Sequence, residues 1–252
     1  MTKKSNRTNR TKRLGLGLSV LMAVSMLHAS EDVASYKAEF EAFMQKMQSS
    51  KATFSEQEQA VMKKAGEDLA VSLPNPGIQA GEKAPDFTLK NAFGKEVRLY
   101  EELKKGPVIL VFYRGAWCPF CNMHLHVLQE NLEDFKQYGA QLITVTPQTP
   151  DKSAEQIKKD GYPFEVLSDL DNSVIKAYKL YFDMPQELLD IYKKHGLDIE
   201  AYNGSTRTGL PIPGSFVIDQ NGIVREMEAQ TDYKIRMEPE AIIETLKEIA
   251  AE

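Results

Sequence analysis

Val108-Ile-Leu-Val-Phe-Tyr-Arg-Gly-Ala-Trp-Cys-Pro-Phe-Cys121 is the stretch whose reading decides the fold. The apolar and β-branched run from Val108 to Tyr113 predicts a fully buried strand. Arg114-Gly115 breaks that run. Beyond the cysteines, Leu125, Leu128 and Leu132 recur at spacings of three and four, which is the apolar face of a helix. Cys118 and Cys121 therefore sit where a buried strand hands over to a helix N-terminus, with Pro119 close to the first helical position, the one that tolerates proline. They are the only two cysteines of the chain.

A thiol becomes a nucleophile as the thiolate. The open N–H groups and the dipole of a helix N-terminus stabilise that anion and lower the thiol pKa. Two residues between the cysteines let one reach the other within a helical turn, so the pair can cycle between dithiol and a Cys118–Cys121 disulfide. Arg114 adds positive charge beside the thiolate or, equally well, makes a surface ion pair. A Cys-x-x-Cys is also half of many zinc sites, and His124 and His126 follow closely. On a helix His124 shares the face of Cys121, whereas His126 points roughly 140° away at about 100° per residue. Four ligands do not converge from one such helix, so no metal is expected.

Outward from this spot, strands and helices alternate. Upstream, residues 87–90 predict a strand, 91–94 a turn and 97–100 a second extended segment. Downstream, the cysteine helix is expected to run to about Tyr138, followed by a strand at 141–146, a helix at 153–159, a strand at 164–167 and a helix at 172–178. Residues 180–210 interrupt the alternation with a helix at 185–194 and a loop; long insertions in compact domains are often functional, here as a lid or dimer contact. Residues 211–228 form a hairpin around Asn221-Gly222, and Ile242, Ile243, Leu246 and Ile249 mark a closing amphipathic helix. Residues 30–76 predict a helical extension with apolar stripes of Tyr36, Phe40 and Phe43 and of Val61, Met62, Ala65 and Leu69. Ser55 with Glu58 reads there as a capping box.

The first residues differ in kind. Lys3, Lys4, Arg7, Arg10, Lys12 and Arg13 form a basic head, an apolar run follows at 14–27, and small residues precede Glu31. That is the pattern of an export signal over residues 1–29 and points to the periplasm; an uncleaved membrane anchor is the alternative. Without those six basic residues the balance moves from 31 basic against 36 acidic, net −5, to 25 against 36, net −11. An acidic chain lacks the basic surface that nucleic-acid binding draws on. In an exported protein a cysteine pair can be purely structural. However, a Cys-x-x-Cys closes so small a loop that it constrains the unfolded chain little, which favours redox work.

The chain resembles the peroxiredoxin-like branch of the alkyl hydroperoxide reductase/thiol-specific antioxidant (AhpC/TSA) superfamily. The residues that carry the likeness are Gly81-Glu-Lys-Ala-Pro-Asp-Phe-Thr-Leu89, Phe112-Tyr-Arg-Gly-Ala-Trp-Cys-Pro-Phe-Cys-Asn122, Thr146-Pro-Gln-Thr-Pro150, Val166-Leu-Ser-Asp169 and Pro213-Gly-Ser-Phe-Val-Ile-Asp219. The resemblance implies an α/β thioredoxin-like fold, a central mixed sheet flanked by helices, over residues 77–252. It places Arg114, Trp117, Pro119 and Pro213 around the cysteines, with the Ile212–Pro213 bond cis. Aligned on Phe112-Tyr113, Cys118 takes the family's threonine position and Cys121 that of its peroxide-reacting cysteine, while Pro213 stands where the family carries an arginine. Thioredoxins instead attack with the first cysteine of the pair, and helix geometry favours Cys118, as the more exposed. The resemblance implies a thiol-dependent peroxidase acting on hydrogen peroxide or organic hydroperoxides without a cofactor. Thioredoxin or an exported thioredoxin-like partner would reset it, and the sequence leaves a homodimer open. A thioredoxin-like oxidoreductase acting on protein disulfides is the alternative, and a redox-inert interaction protein a third.

Overall fold

Two helices lead the described chain, α1 (Tyr36–Gln48) and α2 (Glu56–Ser72). The computed structural model describes residues 33–48 and 54–252; the expected export segment, residues 1–29, lies outside them. Helix α2 begins at the capping box that Ser55 and Glu58 predict: the Glu58 N–H donates to Ser55 Oγ at 3.3 Å and the Ser55 N–H to the Glu58 carboxylate at 2.8 Å. There follow β1 (Thr88–Asn91), β2 (Glu96–Arg98), α3 (Leu99–Leu103), β3 (Val108–Phe112), α4 (Pro119–Glu130) and α5 (Leu132–Lys136). Next come β4 (Gln141–Thr146), α6 (Pro150–Asp160), β5 (Glu165–Ser168), α7 (Ser173–Ala177), β6 (Tyr181–Phe182), α8 (Gln186–Lys194) and α9 (Ile199–Asn203). The chain closes with β7 (Leu210–Pro211), β8 (Gly214–Ile218), β9 (Val224–Ala229) and α10 (Pro239–Ala250).

Seven strands form one mixed sheet in the order β2-β1-β5-β4-β3-β8-β9. Strands β3, β4 and β5 run parallel, and the other pairings are antiparallel. All five residues of β3 are buried, because it lies inside the sheet with both faces covered. Its side chains alternate between two cores. Leu110 and Phe112 join Phe87, Tyr178 and Phe216 on one face. Ile109 and Val111 join Leu125 and Leu128 of α4, Phe135 of α5 and Ile242 and Leu246 of α10 on the other, and this second core contains both cysteines. A third, smaller cluster lies in the insertion: Met184, Leu188, Tyr192, Ile199 and Leu210, with Met62, Ala65 and Trp117 packed against it. Helix α2 and the insertion thus share a core over the cysteine end of the sheet.

Three expectations are corrected. The cysteine helix does not run unbroken to Tyr138; it ends before Asn131, whose side-chain amide donates to the carbonyls of Val127 (2.7 Å) and Ala34 (3.0 Å) and so ties the break to the start of α1. The loop expected after α8 contains α9, and it returns as β7 to pair with β6. The Ile212–Pro213 bond is trans, as no described peptide bond is cis. The chain passes extended from β7 into β8 there, with the Ile212 N–H donating to the Leu180 carbonyl at 2.7 Å. No tight turn opposes the trans form, which an X–Pro bond prefers by about 0.5–1 kcal/mol.

Candidate active site

Cys118 is the N-cap of α4 and Pro119 its first residue. Pro119 has no N–H to leave unpaired and a φ already suited to a helix, so the turn after Trp117 can wind directly into α4. The Cys121 N–H donates to Cys118 Sγ at 3.3 Å. Both sulfurs are free thiols in the structure and both are buried. The expected greater exposure of Cys118 is absent: it is 0 % exposed and Cys121 1 %. The packing of β3, α4 and α10 closes over both.

A buried network of amides fixes the turn that carries them. Gln148, just past β4, accepts from the Ala116 N–H at 3.0 Å and donates to the Tyr113 hydroxyl at 3.1 Å and to Gln156 at 3.0 Å. Gln156 in turn donates to Asn122, and Asn122 to the Ala116 carbonyl. Residues 113–122 are therefore held from both ends. A buried polar network stabilises one geometry only when its members are paired, as these are.

One guanidinium group reaches a thiol, and a second is buried nearby. Arg236 Nη2 lies 3.6 Å from Cys121 Sγ, and its Nη1 donates to the carbonyls of Tyr233 and Ile235. Arg114 is buried, with its guanidinium 4.8 Å from the Trp117 ring centre and 4.2 Å from that of Tyr233. It is thus not on the surface, and its positive charge favours the thiolate form of both cysteines. Burial pushes Cys121 up, but the hydrogen bond from Cys118 and the Arg236 and Arg114 charges outweigh it and bring the thiol down to about 5. Burial and the neighbouring Cys121 push Cys118 well above the usual thiol range, and the same arginines do not overcome that. The two shifts run in opposite directions, Cys121 toward the thiolate and Cys118 toward the thiol. The sequence leans toward Cys118 as the nucleophile; the Arg236 cation, which arrives from outside the helix, stands beside Cys121.

Sequence reasoning missed Arg236. Residues 230–238 carry no periodic pattern and no turn signal, and Arg236 reaches Cys121 only through tertiary folding. Helix α1 holds that segment in place. The N–H groups of Tyr36 and Lys37 each donate to the Glu238 carboxylate at 2.9 Å, and the Tyr36 hydroxyl donates to the Lys234 carbonyl at 2.7 Å.

The other expected neighbours separate. Trp117 packs edge-on to Tyr192 of α8, with ring centres 6.3 Å apart. Pro213 precedes Gly214, the residue paired with Phe112 at the end of β3, so it borders the site without presenting a polar group. His124 is buried with Nε2 3.2 Å from the Met237 carbonyl, and burial pushes its pKa down to about 3, leaving it neutral. His126 lies instead beside Tyr162 and Asp160. The two histidines serve different faces, as their spacing predicts.

The AhpC/TSA family model matches residues 80–227. A peroxiredoxin-type protein of Mycobacterium tuberculosis is 31% identical over 145 residues, covering 58% of this chain and 81% of that protein. The chloroplastic peroxiredoxin Q of Oryza sativa subsp. japonica is 29% identical over 171 residues, 68% of this chain and 66% of the rice protein. Among solved structures, the peroxidoxin BcpB from Mycobacterium tuberculosis superposes with a TM-score of 0.54 at 20% identity, over 68% of this chain and 98% of that one. This likeness shows a shared fold. Helices α1 and α2, Tyr233, Arg236 and α10 lie outside residues 80–227, the span of the family model.

Proposed function

The chain belongs to the AhpC/TSA family, and from that premise we propose that it is a thiol-dependent peroxidase in which Cys121 attacks the hydroperoxide and Cys118 resolves the product. The observation that carries the reading is the Arg236 guanidinium 3.6 Å from Cys121 Sγ, which keeps that sulfur anionic where Cys118 stays protonated. The peroxiredoxin names of the relatives support the same substrate class.

The Cys121 thiolate attacks the terminal oxygen of ROOH. The S–O bond forms, the O–O bond breaks, and its electron pair leaves on the alkoxide. The alkoxide takes the Cys118 proton and departs as ROH. Sulfur has been oxidised to the sulfenic acid and the peroxide reduced by two electrons. The new Cys118 thiolate attacks the sulfenic sulfur, forming the Cys118–Cys121 disulfide and releasing hydroxide. A thioredoxin-type dithiol reduces that disulfide and restores both thiols. Arg236 and Arg114 stabilise the anion that attacks and the oxygen that leaves, the role of preorganised charge in a water-poor site.

The alternative, exchange with protein disulfides, fits less well. Cys118 caps the helix as a first attacking cysteine would, yet burial and the neighbouring Cys121 push its thiol above the usual range, which works against a first attack by Cys118. The experiment is stopped-flow oxidation of the reduced protein by hydroperoxide. Cys121→Ser should abolish rapid oxidation. Cys118→Ser should still oxidise rapidly and stop at a sulfenic acid that a dimedone probe traps. Rapid oxidation surviving in Cys121→Ser would refute the assignment, and free-thiol rates in the wild type would refute the peroxidase.

A further inference from the structure

Glu238 stands at the N-cap of α10, yet its side chain makes no cap bond to that helix. It turns to α1 instead. Oε2 accepts from the Tyr36 N–H at 2.9 Å and from the Ser35 hydroxyl at 3.1 Å, and Oε1 accepts from the Lys37 N–H at 2.9 Å. Those are open N–H groups of the first turn of α1, where the helix dipole favours a carboxylate. The Tyr36 hydroxyl donates to the Lys234 carbonyl at 2.7 Å. Tyr36 thus grips the chain at Lys234 and at Glu238, on either side of Arg236. Between those grips, the Met237 carbonyl lies 3.2 Å from His124 Nε2 on α4, and the Tyr36 ring stands edge-on to the His124 ring at 5.5 Å. Farther along α1, Phe40 and Phe43 pack on Phe120, the residue before Cys121, and Phe120 packs on Tyr233.

Residues 230–238 belong to no helix or strand, so no backbone ladder sets where Arg236 goes. Side-chain contacts must do it, and α1 supplies them on both sides. We propose that Tyr36 and Glu238 are positioning residues of the active site: through them α1 fixes Arg236 against Cys121, which makes the helical extension a working part of the reaction centre. The inference takes its place in catalysis from the peroxidase reading, whereas its geometry concerns Arg236 and Cys121 alone. Distance gives the size of the effect. Arg236 Nη2 is 3.6 Å from Cys121 Sγ, and a drift of about 2 Å would cut their attraction by about a third. One close opposite charge is worth about 1–3 pKa units, so the drift is worth about 0.3–1 unit. The neighbouring phenols of Tyr36, Tyr113 and Tyr162 are held protonated by burial, that of Tyr36 raised to about 12. Arg236, Arg114 and the Cys118 thiol therefore remain as the charged or titrating groups that act on Cys121. Removing the Tyr36 hydroxyl takes no charge from the site. Removing the Glu238 carboxylate takes a negative one, which by itself would favour the Cys121 thiolate. A loosened Arg236 disfavours it, so the sign of the change separates the two causes.

The test follows the thiolate of the reduced full chain by its ultraviolet absorbance against pH. Wild type, Tyr36→Phe, Glu238→Ala and Glu238→Gln are compared, each also in an Arg236→Met background. Tyr36→Phe and Glu238→Ala should each raise the Cys121 midpoint by about 0.3–1 unit. Glu238→Gln keeps one acceptor oxygen and should fall between Glu238→Ala and wild type. With Arg236→Met in place these shifts should vanish, because the group being positioned is gone. A midpoint unmoved by both Tyr36→Phe and Glu238→Ala, or lowered by Glu238→Ala, would overturn the proposal. Shifts of equal size with and without Arg236 would overturn it too, as the mark of general packing. Tyr36→Phe deletes one hydroxyl only and carries the test alone if Glu238→Ala folds poorly. The expected shifts together with hydroperoxide oxidation no faster than that of a free thiol would sink the peroxidase reading and leave the positioning intact.

Discussion

Strand β3 and helix α2 both border the site, and they are built differently. All five residues of β3 are buried, each within a ladder shared with β4 or β8. Of the seventeen residues of α2, Glu58 alone is buried, and it is held by charge: its carboxylate accepts from Lys194 at 2.7 Å and lies 3.2 Å from His195, both at the end of the insertion helix α8. The strand places Arg114 and the cysteine turn with little freedom. The helix packs on the insertion through partly exposed apolar side chains and a few ion pairs. Such thinly packed elements open at lower free energy than a core strand does. The cysteine turn thus stands on the rigid side, with the soft side packed beside it through Trp117.

The largest effect should come from breaking the rigid side at its charge. Arg236→Met removes the cation nearest Cys121 and should raise that thiol by about 1–3 pKa units, the usual weight of one close opposite charge. Oxidation at neutral pH should slow by roughly 10²–10³, as when a single group stabilising a developing charge is lost. An unchanged rate would mean that Arg236 does not act on Cys121.

Loosening the soft side should do less. Lys194 first, then the Ser55 groups and His195, hold the Glu58 carboxyl well below the usual carboxylate range. A carboxyl depressed in the folded state contributes stability that is whole above its unfolded pKa, near 4.3, and shrinks as pH falls below it. Glu58→Gln should therefore lower the urea midpoint at pH 7, with the gap from wild type narrowing steadily below about pH 4. It should leave the pH profile of Cys121 in place. A gap that widens in acid would contradict the role given to this carboxylate.

What the sequence made legible follows the same division. The apolar run of β3 and the Asn221-Gly222 hairpin are local patterns present as read, and the leucine face of α4 holds through Leu128, with Leu132 falling in α5. The pairing of Ser55 with Glu58 was legible as a cap, though not its second use against Lys194 and His195, which lie more than a hundred residues away. The insertion was legible as an insertion and its first helix as a helix. That α8 shares a core with α2 depends on tertiary packing, which periodicity does not encode. Arg114 stood open between two roles because a local pattern carries no burial. Arg236 left no local signal at all, lying in a segment that α1 holds through Glu238. The expected exposure of Cys118 came from the habit of isolated cysteine pairs at helix ends, and it fails here because α10, α8 and residues 230–238 close over the turn.

The central claim is that Cys121 is the thiolate and Cys118 the thiol. The most direct measurement is the rate of first oxidation of the reduced protein by hydroperoxide from about pH 4 to pH 9, with the ultraviolet absorbance of the thiolate followed in parallel. The account predicts a midpoint near 5, kept in Cys118→Ser and missing from Cys121→Ser. A midpoint in the ordinary thiol range, near 8.5, or an acidic thiolate that persists in Cys121→Ser, would contradict it.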